Sequence, residues 1–510
     1  MAEVYVAGVG MTKFGKSSQT LTELFCEAAT RALASVSVEV EALYIGVMNP
    51  EEFTGEGNIA SQIADALGMT GVPALRVETA SSAGAAAFHT AFYAIASGYY
   101  RHVLVLGGEK MTHLSTSATT RILAGVIDKE ERRCGATMAA LAAMITERYR
   151  KRYRVSRSHL ERILCQVAMK NHLNGSRNPY AQFQGGVTEE AYFSSKLVST
   201  PLRLYDCSPI SDGAAAVVLT ADRSDVRIAG IGQGTGPVSL RERDSFTSFS
   251  ATRIAANRAY HMAGISPREI DFAEVHDAFT PFEIISTEDL GFFPAGKGWR
   301  AVEEGKTALD GALPINPSGG LKSRGHPVGA SGVAQVVEVF WRLRGESEPK
   351  LKREVNRAVT QSTGGLGSNN FVTILERSDA SRRSQRPAMV PSSSSPRAPR
   401  SKKDSVPSEP SEEGRIETFT ILYVTPDGFL PPLALALVRD RRGRLLMAQG
   451  EDIGHLKIGR EVYLRQVAGA NYFTVKSHLT KVREGLRRLL RTLPSLALRR
   501  KGSESRKKAE

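Results

Sequence analysis

Cysteine is scarce in this chain. Four residues, Cys26, Cys134, Cys165 and Cys207, are spread over 510 positions with no Cys-x-x-Cys pair, and none follows Cys207. This pattern argues against a zinc ribbon and fits a reducing compartment, so the cytoplasm is the expected location and no metal is expected. Long apolar runs are missing too, since none reaches the roughly 20 residues of a membrane-spanning helix. The N-terminus runs straight into a strand-like EVYVAGVG, without the basic region, apolar core and cleavage site of a secretory leader.

Acidic residues are in deficit, but unevenly. The net charge is +14; residues 476–510 carry twelve Lys/Arg against three Glu, and residues 377–414 carry eight basic against five acidic residues. The remainder is therefore close to neutral. A basic surface is not a property of the main body, and nucleic acid is not its expected partner.

What is present is a repeated α/β pattern. Val4–Gly10 (VYVAGVG) and Val226–Gly232 (VRIAGIG) are short apolar runs ending in glycine, as buried strands do, and their similarity suggests two copies of one unit. Helical spacing over 21–36, 59–67, 136–149 and 158–172 alternates with strand-like 42–48 and 100–108. Val77–Gly84 reads as a strand, a sharp turn and a helix start. Ser81 lies in that turn, where a helix's positive end lowers a nucleophile's pKa. The most informative stretch is Ile315–Gln335, INPSGGLKSRGHPVGASGVAQ. Its glycines let main-chain N–H groups approach a ligand, and His326 titrates near neutrality. Taken alone, a histidine beside glycines is more often a structural turn residue.

The whole run NPSGGLKSRGHPVGASG resembles the active-site loop of the thiolase superfamily, most closely its sterol-carrier and archaeal branch. Glu274–Phe279 (EVHDAF) resembles that branch's HDCF motif, and residues 358–367 (AVTQSTGGLG) resemble the loop where many thiolases carry Cys-x-Gly. The resemblance implies an α/β fold of two similar halves in a five-layer αβαβα body, residues 1–223 and 224–376, with a helical loop region at about 112–200 covering CoA. It implies that His326 activates a nucleophile or polarises a thioester, and that His276 binds the thioester oxygen. It assigns Asn316, Gly319 and Gly320 to the substrate platform, and Gly364 and Gly365 to a main-chain oxyanion pocket. The family's nucleophilic cysteine falls on Ser81, which is an activated nucleophile, an oxyanion donor or a vestige. The cysteine of HDCF is Ala278, and that of the last loop is Gln361 or a close neighbour. Met138, Met144 and Met169 suit an acyl lining or simple core filling, and Lys151, Arg152 and Arg154 suit CoA phosphates or a solvated face.

Residues 377–414, rich in Ser, Pro and Arg, read as a flexible linker. Short strands with Gly/Pro turns over 415–475 suggest a small barrel. YVTPDGFLPPLALALV followed by LKIGREVYL resembles the OB-fold proteins that accompany thiolases and bind acyl-CoA or a partner enzyme. Residues 476–510 form a basic amphipathic tail. The expectation is a thiolase-like acyltransferase acting on a CoA thioester with no separate cofactor, as a homodimer or homotetramer. A cysteine-independent retro-aldolase and a non-catalytic acyl-CoA-binding scaffold are the alternatives.

Overall fold

The computed structural model describes residues 2–379, 413–450 and 453–476; the expected linker and basic tail lie largely outside them. One nine-stranded sheet runs through the body. Its first half orders the strands Ala74–Val77, Ala42–Gly46, His102–Glu109, Gly213–Thr220 and Tyr5–Met11. The second half continues with Val226–Thr235, Asn369–Arg377, Arg357–Gly364 and Phe272–Glu274. Ile315 makes a lone parallel bridge to Ala273 outside that last strand. With Ile315 standing as a vestigial third strand, each half has the order third, second, fourth, fifth, first. Directions agree as well, because the outer pairings are parallel and those toward the centre antiparallel. The sequence repeat is a structural repeat.

Strand sequences that are apolar on both faces demand cover on both sides. Leu104 and Leu106 pack outward with Leu24, Phe25 and Ala28 of helix Leu21–Leu33. Val103 and Val105 face inward, against helices Ala83–Ala96 and Ser331–Arg344. On the far side Val359, Val372 and Ile374 meet Ala255, Ala256 and Ala259 of helix Ser250–Ala263. The two halves of the sheet, joined through only two residue pairs, form separate layers: helix, half-sheet, paired central helices, half-sheet, helix. The five-layer αβαβα body expected from the resemblance is present.

Within the first half, between strands His102–Glu109 and Gly213–Thr220, lie helices Met138–Arg152 and Arg157–Gly175. Their starts are set by hydroxyl caps that hydrophobic periodicity does not register. Thr137 accepts from the Ala140 N–H at 3.2 Å and Ser156 from the His159 N–H at 3.2 Å. Met144 is fully buried and Met169 lies against Cys165, both as core filling. Lys151, Arg152 and Arg154 are exposed.

Residues 413–475 close into a five-stranded barrel, Glu413–Leu422, Leu433–Asp440, Leu445–Gly450, Ala470–Val475 and Glu461–Val467, the last returning to the first. That order is a Greek-key OB-like barrel. The strands after residue 462 were not legible in the sequence. They meet in a two-residue hairpin at Ala468 (φ 49°) and Gly469 (φ 79°), and alanine gives no signal for such a turn. In the strand LALALV the small residues Ala434 and Ala436 face the barrel interior. Leu433, Leu435 and Leu437 face outward into the cluster formed by Leu141, Ile145, Phe279 and Phe282. The Thr418 hydroxyl donates to the Met144 carbonyl at 2.8 Å, and the Ile421 carbonyl accepts from the Thr200 N–H at 3.0 Å. Barrel and helical region thus share one core.

Candidate active site

The two central helices meet at their N-terminal ends. A Cβ added at Gly84 would lie 2.3 Å from the Gly329 carbonyl oxygen, and one at Gly332 would lie 2.6 Å from the Ala85 nitrogen. Only glycine permits this approach. Each helix start carries about half a unit of positive charge, so two such ends face one region. Ser81 directly precedes the first of these helices, His326 lies five residues before the second, and the His276 ring packs edge-on against His326.

His326 is held through both its main chain and its ring. Its N–H donates to Ser211 Oγ at 2.9 Å, and Nδ1 lies 2.7 Å from Ser331 Oγ. Ser331 Oγ also donates to the Pro327 carbonyl at 2.9 Å. A hydroxyl has one proton and a carbonyl can only accept. The Ser331 proton therefore belongs to Pro327, Nδ1–H of His326 donates to Ser331, and Nε2 keeps its lone pair. His276 stands edge-on to this ring, with centroids 5.0 Å apart at 89°. Burial, then the Arg324 guanidinium, pushes His326 down to about 3. Burial, then the charges of His326 and Arg324, hold His276 well below the usual imidazole range. Both rings are neutral at pH 7, and a neutral imidazole with a free Nε2 is a base.

The same shift has a consequence for stability. The folded-state pKa of His326 lies below its unfolded value of 6.5, so its contribution is complete above pH 6.5 and is lost as pH falls toward 3. In chemical denaturation, His326→Asn is expected to gain on the wild type as pH drops from 6.5 to 4, by about 1.4 kcal/mol per unit. A constant difference between the two proteins across that range would contradict the burial of a neutral ring.

Ser81 is half-buried and follows Ala80, whose φ of 55° bends the chain sharply. Ser82 locks the turn, its Oγ 2.7 Å from the Thr79 carbonyl and 2.9 Å from Thr79 Oγ1. Among the described residues Ser81 makes no hydrogen bond to either imidazole. Gly364 is packed on this turn, since its Cβ would lie 2.3 Å from the Thr79 carbonyl, and Gly365 follows with φ 57°.

The platform residues have interior partners. Asn316, at φ 54°, donates through Nδ2 to Glu283 at 2.9 Å and accepts from the Val275 N–H at 2.8 Å. Gly319 and Gly320 have φ 99° and 60°, and a Cβ at Gly320 would lie 2.3 Å from Asp277 Oδ2. Asp277 accepts from the Leu321 N–H at 2.6 Å and caps the short helix Gly320–Arg324; burial pushes it up to about 7. Gln361 accepts from the His276 N–H at 2.9 Å and donates to Thr363 Oγ1 at 2.7 Å. Cys207 is half-buried, its thiol pushed up to about 12 by burial and Asp206.

Sequence reasoning missed two features. Glu109, pushed up to about 7 by burial, accepts from the N–H groups of Met48 at 2.9 Å and Gly329 at 3.2 Å, bracing the histidine loop from below. Arg324 is fully buried, 3.9 Å from Glu274, and its charge lowers both imidazoles. The only sequence signal for Arg324 was its place within the glycine-rich run, where a charged residue looks solvent-facing. Among the described residues no cluster of His, Cys, Asp and Glu could hold a metal ion, and no helix is long and apolar enough to cross a membrane.

Known proteins resemble this chain in sequence and fold. Residues 4–223 match the family model for the thiolase N-terminal domain, and residues 232–377 match the thiolase C-terminal domain-like model. An acetyl-CoA acetyltransferase of Methanothermobacter thermautotrophicus is 41% identical over 389 residues, covering 74% of this chain and 100% of that protein. Sterol carrier protein 2 of Bos taurus is 33% identical over 421 residues, covering 77% of this chain and 76% of that protein. Among solved structures, a monomeric SCP2-thiolase like protein of Mycobacterium smegmatis aligns over 93% of this chain and 99% of its own, with TM-score 0.67 at 17% identity. The Ltp2-ChsH2(DUF35) aldolase aligns over 74% of this chain and 98% of its own, with TM-score 0.63 at 24% identity. At those identities the structural likeness is one of fold. Two family models that together span the body, and a full-length relative at 41% identity, make this chain a member of the thiolase superfamily with an OB-like barrel appended.

Proposed function

We propose that the protein processes acyl-CoA thioesters by making or breaking a carbon–carbon bond beside the thioester carbonyl. The observation that carries this is the pair of neutral imidazoles at the junction of two helix N-termini. His326 Nε2 is the base, and His276 with main-chain N–H groups holds the negative charge that develops on the thioester oxygen. In the acyltransferase route, Ser81 Oγ loses its proton to His326 and attacks the acyl carbonyl, and the leaving group departs with that proton. In the retro-aldol route, His326 takes the β-hydroxyl proton of a hydroxyacyl-CoA. The Cα–Cβ bond then breaks, an aldehyde or ketone leaves, and the thioester enolate recovers the proton from the imidazolium.

The lack of any Ser81–imidazole hydrogen bond among the described residues favours the second route, because serine attacks poorly without a base in contact. Intact-mass measurement after incubation with acetyl-CoA and longer acyl-CoA esters separates the two. An acyl adduct on Ser81 supports transfer. Aldehyde or ketone release from hydroxyacyl-CoA without an adduct supports cleavage. Neither outcome, across a panel of chain lengths, points to an acyl-CoA-binding scaffold. CoA, a second copy of the chain and a partner enzyme reached through the barrel are the expected partners, and the cytoplasm the expected place.

A further inference from the structure

The last loop holds a side chain that the site described above does not use. Strand Arg357–Gly364 alternates its faces. Val359 packs on the outer helix layer, and Gln361 and Thr363 bond there, Thr363 Oγ1 reaching Asn370 Oδ1 at 2.8 Å. Ala358 packs in the central layer, and Gly364 abuts the Thr79–Ser82 turn from that side. Ser362 belongs to this inner set. It is 2% exposed, and its hydroxyl has no hydrogen-bond partner.

The neighbouring strand gives the hydroxyl a counterpart. Ala358 pairs with Phe272, Val359 with Ala273 and Thr360 with Glu274, in parallel register. Paired residues share a face: Phe272 and Ala358 lie in the central cluster, Ala273 and Val359 in the outer one. The pairing ends there; two residues on, the His276 N–H donates to Gln361 Oε1 at 2.9 Å, which holds His276 against the segment that carries Ser362. His276 Nδ1 is itself buried and without a partner. Two buried polar atoms without a partner, on neighbouring segments of one sheet, each call for an explanation.

We propose that Ser362 is a positioning residue for His276: with a thioester bound, its O–H turns to donate to Nδ1, which fixes the imidazole proton on Nε2, facing the thioester oxygen. This deepens the reading of His276 as the oxygen-binding group and rests on it. A serine side chain has three staggered χ1 rotamers about 120° apart, so one rotamer change re-aims the hydroxyl. The pair of rings then divides its labour, with His276 presenting Nε2–H as donor and His326 presenting Nε2 as acceptor.

The test is nitrogen NMR of the full chain labelled with 15N at histidine, in saturating acetyl-CoA, with the His276 signals assigned by their loss in His276→Asn. The wild type is expected to show His276 with bare Nδ1 and protonated Nε2. Ser362→Ala is expected to shift it to Nδ1–H or to an exchanging mixture. The variant should melt at or above the wild-type temperature, because it removes an unsatisfied buried hydroxyl. A purely structural hydroxyl would do the reverse, costing stability and leaving the tautomer alone. An unchanged His276 tautomer in folded Ser362→Ala overturns the assignment. The readout needs no turnover, so it stands apart from the mass and product measurements that test the catalytic reading.

Discussion

Replacing His326 by alanine is expected to lower kcat for any acyl-CoA substrate that the protein turns over by roughly 10³-fold, within the range that a positioned general base contributes. The ring's surroundings define what is lost. Ser331 fixes Nδ1–H, burial and Arg324 keep the ring neutral, and Nε2 is left free. Alanine keeps the main-chain N–H bonded to Ser211, so the loop and the two helix ends should survive and the affinity for CoA esters should change little. Steady-state kinetics together with calorimetric titration of acetyl-CoA separates the two quantities. Equal turnover in variant and wild type would remove the base from the mechanism and favour the scaffold reading. A collapse of affinity with unchanged kcat would make His326 a binding group instead.

The largest structural effect is expected in the core that barrel and helical region share. Leu435 is fully buried on the outward face of the barrel, within the cluster that contains Leu141, Ile145 and Phe282. Leu435→Asp places an unpaired carboxylate in that shared core and is expected to cost about 4 kcal/mol or more. Because the helical region rests on the same cluster, loss of the barrel contact should also unsettle the cover over the catalytic loops, and activity should fall with stability. Leu430→Asp is the comparison: that leucine is 89% exposed and its replacement should stay within about 0.5 kcal/mol. Chemical denaturation followed by both circular dichroism and activity reads both variants. A barrel that unfolds in Leu435→Asp while the body keeps full activity would mean that the two do not depend on each other.

Much of the fold could be read from local pattern. VYVAGVG and VRIAGIG announced the repeat because a doubly covered strand must be apolar throughout, and NPSGGLKSRGHPVGASG announced the site because several glycines at fixed spacing serve one backbone path. The leucines of LALALV carried a message that periodicity missed. An alternating strand with its larger residues pointing out of a barrel is a strand whose outside is buried. What stayed hidden depends on distant partners. Nothing local shows that Arg324 lies beside Glu274, that Glu109 supports Gly329, or that the inner face of strand Arg357–Gly364 holds Ser362 rather than Gln361. Nor does anything local show that the Asn316 amide is committed to Glu283 and Val275.

The meeting of two helix starts at Gly84 and Gly329 bears on how such a protein can change its reaction. The electric field there is made of peptide dipoles, which no side-chain substitution removes. A lineage can therefore surrender its sulfur, trial a hydroxyl or do without a covalent intermediate, and at every stage still hold an anion in the same spot. The constraint falls on the two glycines, whose loss would pry the dipoles apart, while the reactive groups around them are free to be exchanged.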